Sequence, residues 1–539
     1  MDLAINGVYI PDFKKLSFVR LNIGINNGKI SCLSEVYIKG CKNEINAPGF
    51  IASLGLVDCH CHIESSLLKP SFFGALIAKM GTLYAVADCH EITNVAGLKG
   101  LLYFMEDIKE TAINIKFAVP SCVPASVYAS GGGQLTTKEI LYLLAMDNVV
   151  SLGEVMDIEK VLKGDKDLLY LINKAKMSGK RVNGHAPELK GANLKRYFDS
   201  GIEDDHENEK RNEIEEKLKL GVKIFLREGT ASRTDDAAYK LIEKYSDDIM
   251  FCTDDITAGD ILKKGHINYH LRKAVANGIN PVLAIKVASY NGLKYYNLSD
   301  IYEIKEGADA NVVIFDNEKN FNIYKVILAG REYQPAYKKT EIPSYIRGSF
   351  DVKSSLIPAI TERARKYCIN VKDGSLMTEI IDARLTEGEY SIHEDILKIV
   401  NINRYGAGYS SAARIHGFSL KYGALASSIA HDCHNVIAVG TDDISLQKVI
   451  NIIITEGGGL SCFDGKDLYF LPLPVGGIVS DQDPVTLVKE YEELRKKAKE
   501  LGCTLTDPFS TLSFMALEVI PHIKLTDRGL FDVDNVKYI

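Results

Sequence analysis

The stretch Gly55–Ser66, "GLVDCHCHIESS", decides how the rest of the chain is read. Two cysteines and two histidines interleave over Cys59–His62, as they do in a soft-metal site. A β-strand, however, sends alternate side chains to opposite faces. Read as a strand, "LVDCHCH" puts Asp58, His60 and His62 on one face and Cys59 and Cys61 on the other.

Working outward, residues 55–300 alternate short apolar runs with amphipathic helical patterns. Eight runs stand out: "GLVDCH", "LYAVAD", "NIKFAVPS", "VVSLGEV", "RVNGHA", "GIEDDH", "VKIFLRE" and "DIMFCTDD". Eight strand-then-helix units of this size match an α/β chain folded as a (β/α)8 TIM-like barrel. A doubly wound open sheet would offer a glycine-rich phosphate turn after its first strand, and this chain has none there. Short strands broken by Asn-Gly turns fill the first 50 residues, and the same style returns at 302–333. Residues 1–54 plus 301–340 are therefore expected to form one small β-sandwich domain from both flanks. Residues 345–539 read as a C-terminal α+β domain.

The chain's 539 residues exceed one hydrophobic core, in keeping with this division. A formal net charge of −7 gives no electrostatic reason to expect nucleic acid or an anionic membrane as partner. No run is long and apolar enough to span a bilayer, and the start lacks a signal-peptide pattern. The 11 cysteines follow no disulfide framework, so reduced thiols in the cytoplasm are expected.

In such a barrel the catalytic groups project from the C-terminal ends of the strands. His60 and His62 end run one, Glu154 run four, His185 run five, His206 run six and Asp254 run eight. Singly, each is an ordinary polar residue; together they make a nitrogen–oxygen ligand set suited to Zn²⁺, Fe²⁺ or Mn²⁺. On this reading Asp58, His60 and His62 point into the barrel, while Cys59 and Cys61 pack outward as small hydrophobes.

"GLVDCHCHIESS" and "VADCHEITNVAGLKG" resemble the adenine deaminases of the amidohydrolase superfamily. So do "VPSCVPAS", "LGEVMD", "VNGHAPELKG", "DDHE", "LREGTASR" and "FCTDD", and, further on, "GALASSIAHDCHNVIAVGTDD" and "LPLPVGGIVSD". The resemblance runs along almost the whole chain. It implies hydrolytic deamination of adenine to hypoxanthine and ammonia by a metal-activated hydroxide, in purine salvage or catabolism. It implies two divalent ions per site, with Mn²⁺ the first expectation and Fe²⁺ or Zn²⁺ the others. His60 and His62 would bind the more buried ion, His185 and His206 the second, and Glu154 would bridge where many superfamily members carry a carboxylated lysine. Asp254 would bind metal and shuttle a proton. Three departures stand out: a longer "PGFIASLGLVDCH", Cys89 in place of a common proline, and Tyr405 in place of a usual histidine.

Protonation of a purine ring nitrogen needs a further group, and Glu91 and Glu228 are the candidates. Ser121, with Cys122, is expected to line the purine pocket. Asp88, His90 and Glu91 could add a metal contact or act as hydrogen-bonded support. His431 and His434 in "AHDCHN" either cover the barrel mouth or stabilise a buried turn. The "EGGGL" run lacks the Lys-Ser/Thr of a phosphate loop and reads as a tight turn; "SGGGQ" at 130–134 reads as a mobile rim loop. The alternatives are a cyclic amidase such as a dihydroorotase or hydantoinase, a deaminase of another aminopurine, and a catalytically dead barrel. The first is disfavoured by glutamate at 154, the last by an intact ligand set. Adenine is the expected small-molecule partner, and a homodimer is the expected assembly.

Overall fold

The eight apolar runs become eight strands: Leu56–Cys61, Thr82–Asp88, Asn114–Val119, Val149–Val155, Arg181–Gly184, Asp204–Asp205, Lys223–Arg227 and Ile249–Cys252. They were traced in a computed structural model that describes residues 1–539 except 125, 231, 348–349, 353–355 and 383–387. Ala125 of "VPSCVPAS" and Ala231 of "LREGTASR" thus lie outside the described residues. The first five strands pair in parallel as one arc and the last three as a second. At one junction Glu203 N–H donates to Val182 O (3.0 Å). At the other, Asp254 N–H donates to His60 O (3.0 Å) and His62 N–H to Asp254 O (3.2 Å). The two arcs thereby form the TIM-like barrel.

Strand two, "TLYAVAD", is buried at every position, the pattern of a parallel strand covered on both faces. The intervening helices open on ordinary signals. Thr136 and Glu139 form a capping box for Thr137–Leu144, and Pro70 opens Pro70–Lys79. Helix His90–Asp107 follows strand two directly, and Glu64 Oε1 accepts from Ile92 N–H (3.0 Å) in its first turn.

The first strand does not keep simple alternation. Its register against strand two shifts between Asp58 and Cys61, and a bulge of this kind re-aims the side chains that follow. Asp58, expected beside His60 and His62, instead accepts from Thr253 Oγ1 (2.5 Å) and Thr253 N–H (3.0 Å) and meets His266 Nε2 at 3.2 Å. The Cys59 sulfur packs with Val57 against Gly292, where an added Cβ would lie 2.9 Å from it. Both thiols are buried, and burial pushes them well above the usual thiol range. They are packing groups, although Cys59 does not share a face with Cys61 as expected.

The approach to this strand is itself a strand. Ile51–Leu54 runs antiparallel to Val312–Phe315, so strands from both flanks of the barrel share one sheet. Beyond it, residues 367–472 build a second eight-stranded sheet, covered by helices Asp443–Glu456 and Pro484–Glu500. "EGGGL" is a turn: Gly457, at φ 75°, ends the first of these helices. "SGGGQ" is no free rim loop, because Gly132 and Gly133 donate to Asn94 O (2.9 and 2.8 Å). A Cβ on Gly133 would lie 2.2 Å from Thr93 O, so only glycine admits this approach. Among the described residues, no helix is long and apolar enough to cross a membrane.

Candidate metal centre

All six strand-end ligand candidates converge. His60 Nε2 and His62 Nε2 face each other at 3.2 Å. Asp254 Oδ1 lies 3.0 Å from His62 Nε2, 3.6 Å from His60 Nε2 and 3.9 Å from His206 Nε2. Glu154 spans the group: Oε1 is 3.5 Å from His62 Nε2, while Oε2 is 2.6 Å from His185 Nδ1 and 3.3 Å from His206 Nε2. Burial resists the charge on Glu154, yet His185 and His206 hold its carboxyl well below the usual range. Asp254 sits at φ 57° on the seam between strands eight and one, a left-handed conformation uncommon for a non-glycine residue.

The donor chemistry fits divalent cations. His62 Nδ1–H donates to Asp88 O (2.8 Å), which leaves Nε2 as a lone pair aimed into the cluster. His60 Nδ1 and both ring nitrogens of His206 are buried without a hydrogen-bond partner. Buried polar atoms are nearly always partnered, so an orphaned set around two carboxylates is the signature of an ion site. The triads His60–Glu154–His206, His60–His62–Asp254 and His62–His90–Glu154 each have the spacing to hold an ion. His90 therefore joins the group: its Nδ1 is 3.5 Å from Glu154 Oε1 and 3.7 Å from Asp88 Oδ1.

Three other expected site residues lie around this cluster. Ser121 donates to Glu154 O (2.6 Å), so its hydroxyl anchors the end of strand four. The Glu228 carboxylate is held by Lys273 and accepts from Tyr239 Oη (3.1 Å), outside the cluster. Glu91 lines a cavity of about 840 Å³ beside the cluster, with Glu64, Asp255, His431, His434 and Phe514. The cavity adjoins the ligands through chain neighbours, since Glu91 follows His90 and Asp255 follows Asp254.

Sequence reasoning missed Arg227, the neighbour of Glu228 and so on the other face of the strand. Its Nη1 donates to Asp254 Oδ2 (2.8 Å), and its fork grips Glu207, with Nη2 to Oε2 at 3.1 Å. Oδ1 of Asp254 is thereby turned toward the histidines. Burial opposes ionisation of Asp254, but Arg227 and His62 hold its carboxyl well below the usual range. Arg227→Met is expected to lower turnover about 10–100-fold, the usual cost of removing a group that orients a ligand. Turnover per bound metal equal to the parent's would contradict this.

A fold of this kind with such a site defines the class, the metal-dependent amidohydrolases, and the amidohydrolase family model matches residues 51–333. A second family model, adenine deaminase C-terminal domain, matches residues 375–537. The chain belongs to the adenine deaminase family. It is 36% identical over 538 residues to an adenine deaminase of Sulfurovum sp., covering 98% of each chain. It is 37% identical over 530 residues to one of Methanothermobacter thermautotrophicus, covering 95% of each. A Thermosipho africanus adenine deaminase is 35% identical over 554 residues, covering 100% of this chain and 96% of the other.

Proposed function

We infer that this chain hydrolyses adenine to hypoxanthine and ammonia. Similarity to adenine deaminases over essentially the full length of both chains carries this reading. The ligand set supports it as well: glutamate rather than lysine stands at position 154, and the ligand candidates fall in triads with the spacing to hold an ion. In the same reading, residues 55–300 form the catalytic barrel, 1–54 with 301–340 a small β domain, and 345–539 the C-terminal domain.

His60, His62, His185, His206, Glu154 and Asp254 would hold two divalent ions, with Mn²⁺ the first choice and Fe²⁺ or Zn²⁺ the alternatives. Bound there, such ions lower the pKa of water toward about 7 and so supply a nucleophile at neutral pH. The chain's own residues do the rest. Asp254, with Oδ2 fixed by Arg227 and Oδ1 facing the histidines, takes a proton from the attacking water and passes it to the departing amine. Glu91, at the cavity wall, serves the ring nitrogen that gains electron density as C6 is attacked. The buried walls exclude bulk water from the carboxylates. Adenine is the small-molecule partner, with a homodimer as the assembly and the cytoplasm as the setting. All 11 cysteines standing as free thiols support the last point.

Purified protein loaded with Mn²⁺ is expected to release equal amounts of ammonia and hypoxanthine from adenine. Bound metal is quantified on the same preparation, and chelation is expected to abolish the activity. Metal-replete protein that forms no hypoxanthine would refute the reading.

A further inference from the structure

Glu91 stands at the start of helix His90–Asp107, on the barrel side of the cavity. From the opposite side, the loop between strands Ala424–Ser427 and Val436–Gly440 brings two histidines onto it. His431 Nδ1 lies 2.5 Å from Glu91 Oε1, and His434 Nε2 hydrogen-bonds Oε2. Glu91 and His434 are almost wholly buried. Two different parts of the chain, the barrel and the region matched as the C-terminal domain, thus meet on one carboxylate.

Three such groups could also hold an ion, and the tautomer of His434 separates the two cases. Ala430 N–H approaches His434 Nδ1 at 3.4 Å, which makes Nδ1 the lone-pair nitrogen and puts the proton on Nε2. Nε2 then donates to Glu91. A metal ligand needs the reverse, with a bare Nε2 and Nδ1–H given to an acceptor, as His62 has against Asp88 O. His431 is fixed as well: its ring stacks on Phe514 with centroids 4.3 Å apart, and its backbone N–H donates to Ser513 O (3.0 Å). A carboxylate has about four lone-pair sites. The two imidazoles occupy one on each oxygen and His90 Nε2 stands 3.6 Å from Oε1, so a ligand in the cavity would use the remaining sites.

We propose that His431 and His434 are positioning residues: the C-terminal domain uses them as a two-point hydrogen-bond clamp that aims Glu91 at the purine. This rests on the adenine reading above. The clamp makes the C-terminal domain a part of the active site, because both imidazole hydrogen bonds that hold the Glu91 carboxylate come from it. Misplacement of a substrate-facing group by about 1 Å costs about 10²-fold in rate.

Side-chain amides of different length test it. Glutamine puts its N–H at the reach of Nε2, and asparagine puts it at the reach of Nδ1. The matched pair is His434→Gln and His431→Asn; the mismatched pair is His434→Asn and His431→Gln. Holoenzymes are compared for metal per chain, kcat and KM. Matched variants are expected within about tenfold of the parent in kcat/KM, and mismatched ones about 100-fold below it. Metal content should equal the parent's throughout. Equal kcat/KM for matched and mismatched variants would overturn the clamp. So would loss of one metal equivalent in His434→Gln, which would make the cluster an ion site. Absence of hypoxanthine from the parent would instead reject the adenine reading, and the metal count alone then decides between clamp and ion.

Discussion

Glu154→Gln is expected to cut kcat for adenine by roughly 10³-fold or more and to lower the metal content with it, the scale of losing a charge that organises a metal site. The reason lies in how Glu154 is shared. Its Oε1 faces His62 and His90, each at 3.5 Å, and its Oε2 faces His185 at 2.6 Å and His206 at 3.3 Å. Glutamine keeps the shape but removes the negative charge, and it turns an N–H₂ toward imidazole lone pairs that would otherwise hold cations. Backbone packing should survive, because Glu154 N–H stays bonded to Asp88 Oδ2 (3.0 Å). Circular dichroism and thermal melting check the fold, and elemental analysis checks the metal. Near-parental turnover with full metal content would remove Glu154 from the ligand set.

Asp254→Asn is expected to act differently, lowering kcat by about 10³–10⁴-fold with little change in KM, as suits a group that moves a proton in the transition state. Asparagine can keep one oxygen for Arg227 or for the cluster, but not for both, and it cannot accept a proton. Its amide also leaves Arg227 with Glu207 as its remaining carboxylate. Metal occupancy should fall less than in Glu154→Gln, because the four histidines and Glu154 remain. Steady-state kinetics against bound metal separates the two variants. A proportional loss of metal and kcat in Asp254→Asn would reduce Asp254 to a ligand with no role in proton transfer.

Much of this was legible in the chain before any coordinates. Each of the eight apolar runs overlaps one barrel strand, and the ligand candidates could be read because a parallel barrel puts its strand ends at one mouth, where a residue's place in its run is its place in space. The errors came where that mapping fails. A register shift between Asp58 and Cys61 turned Asp58 to Thr253 and His266, and no composition rule announces such a shift. Arg227 was missed because an arginine offers a metal no ligand atom, although it is the side chain of its strand end that reaches Asp254. His431 and His434 were visible as histidines but not as partners of Glu91. They lie 340 and 343 residues away from it, and nothing local encodes a contact of that range.

The seam that joins strand eight to strand one has a bearing on assembly. Asp58 and Thr253, 195 residues apart, are bonded across it, and His60, His62 and Asp254 sit directly above. The His60–His62–Asp254 triad is therefore complete only when the last strand docks on the first. Ion uptake and ring completion are one linked equilibrium, worth about 4 kcal/mol when free ion exceeds its Kd about 1,000-fold. Cells short of that ion would then hold a chain more open to proteases, so its abundance as well as its activity would follow the metal supply.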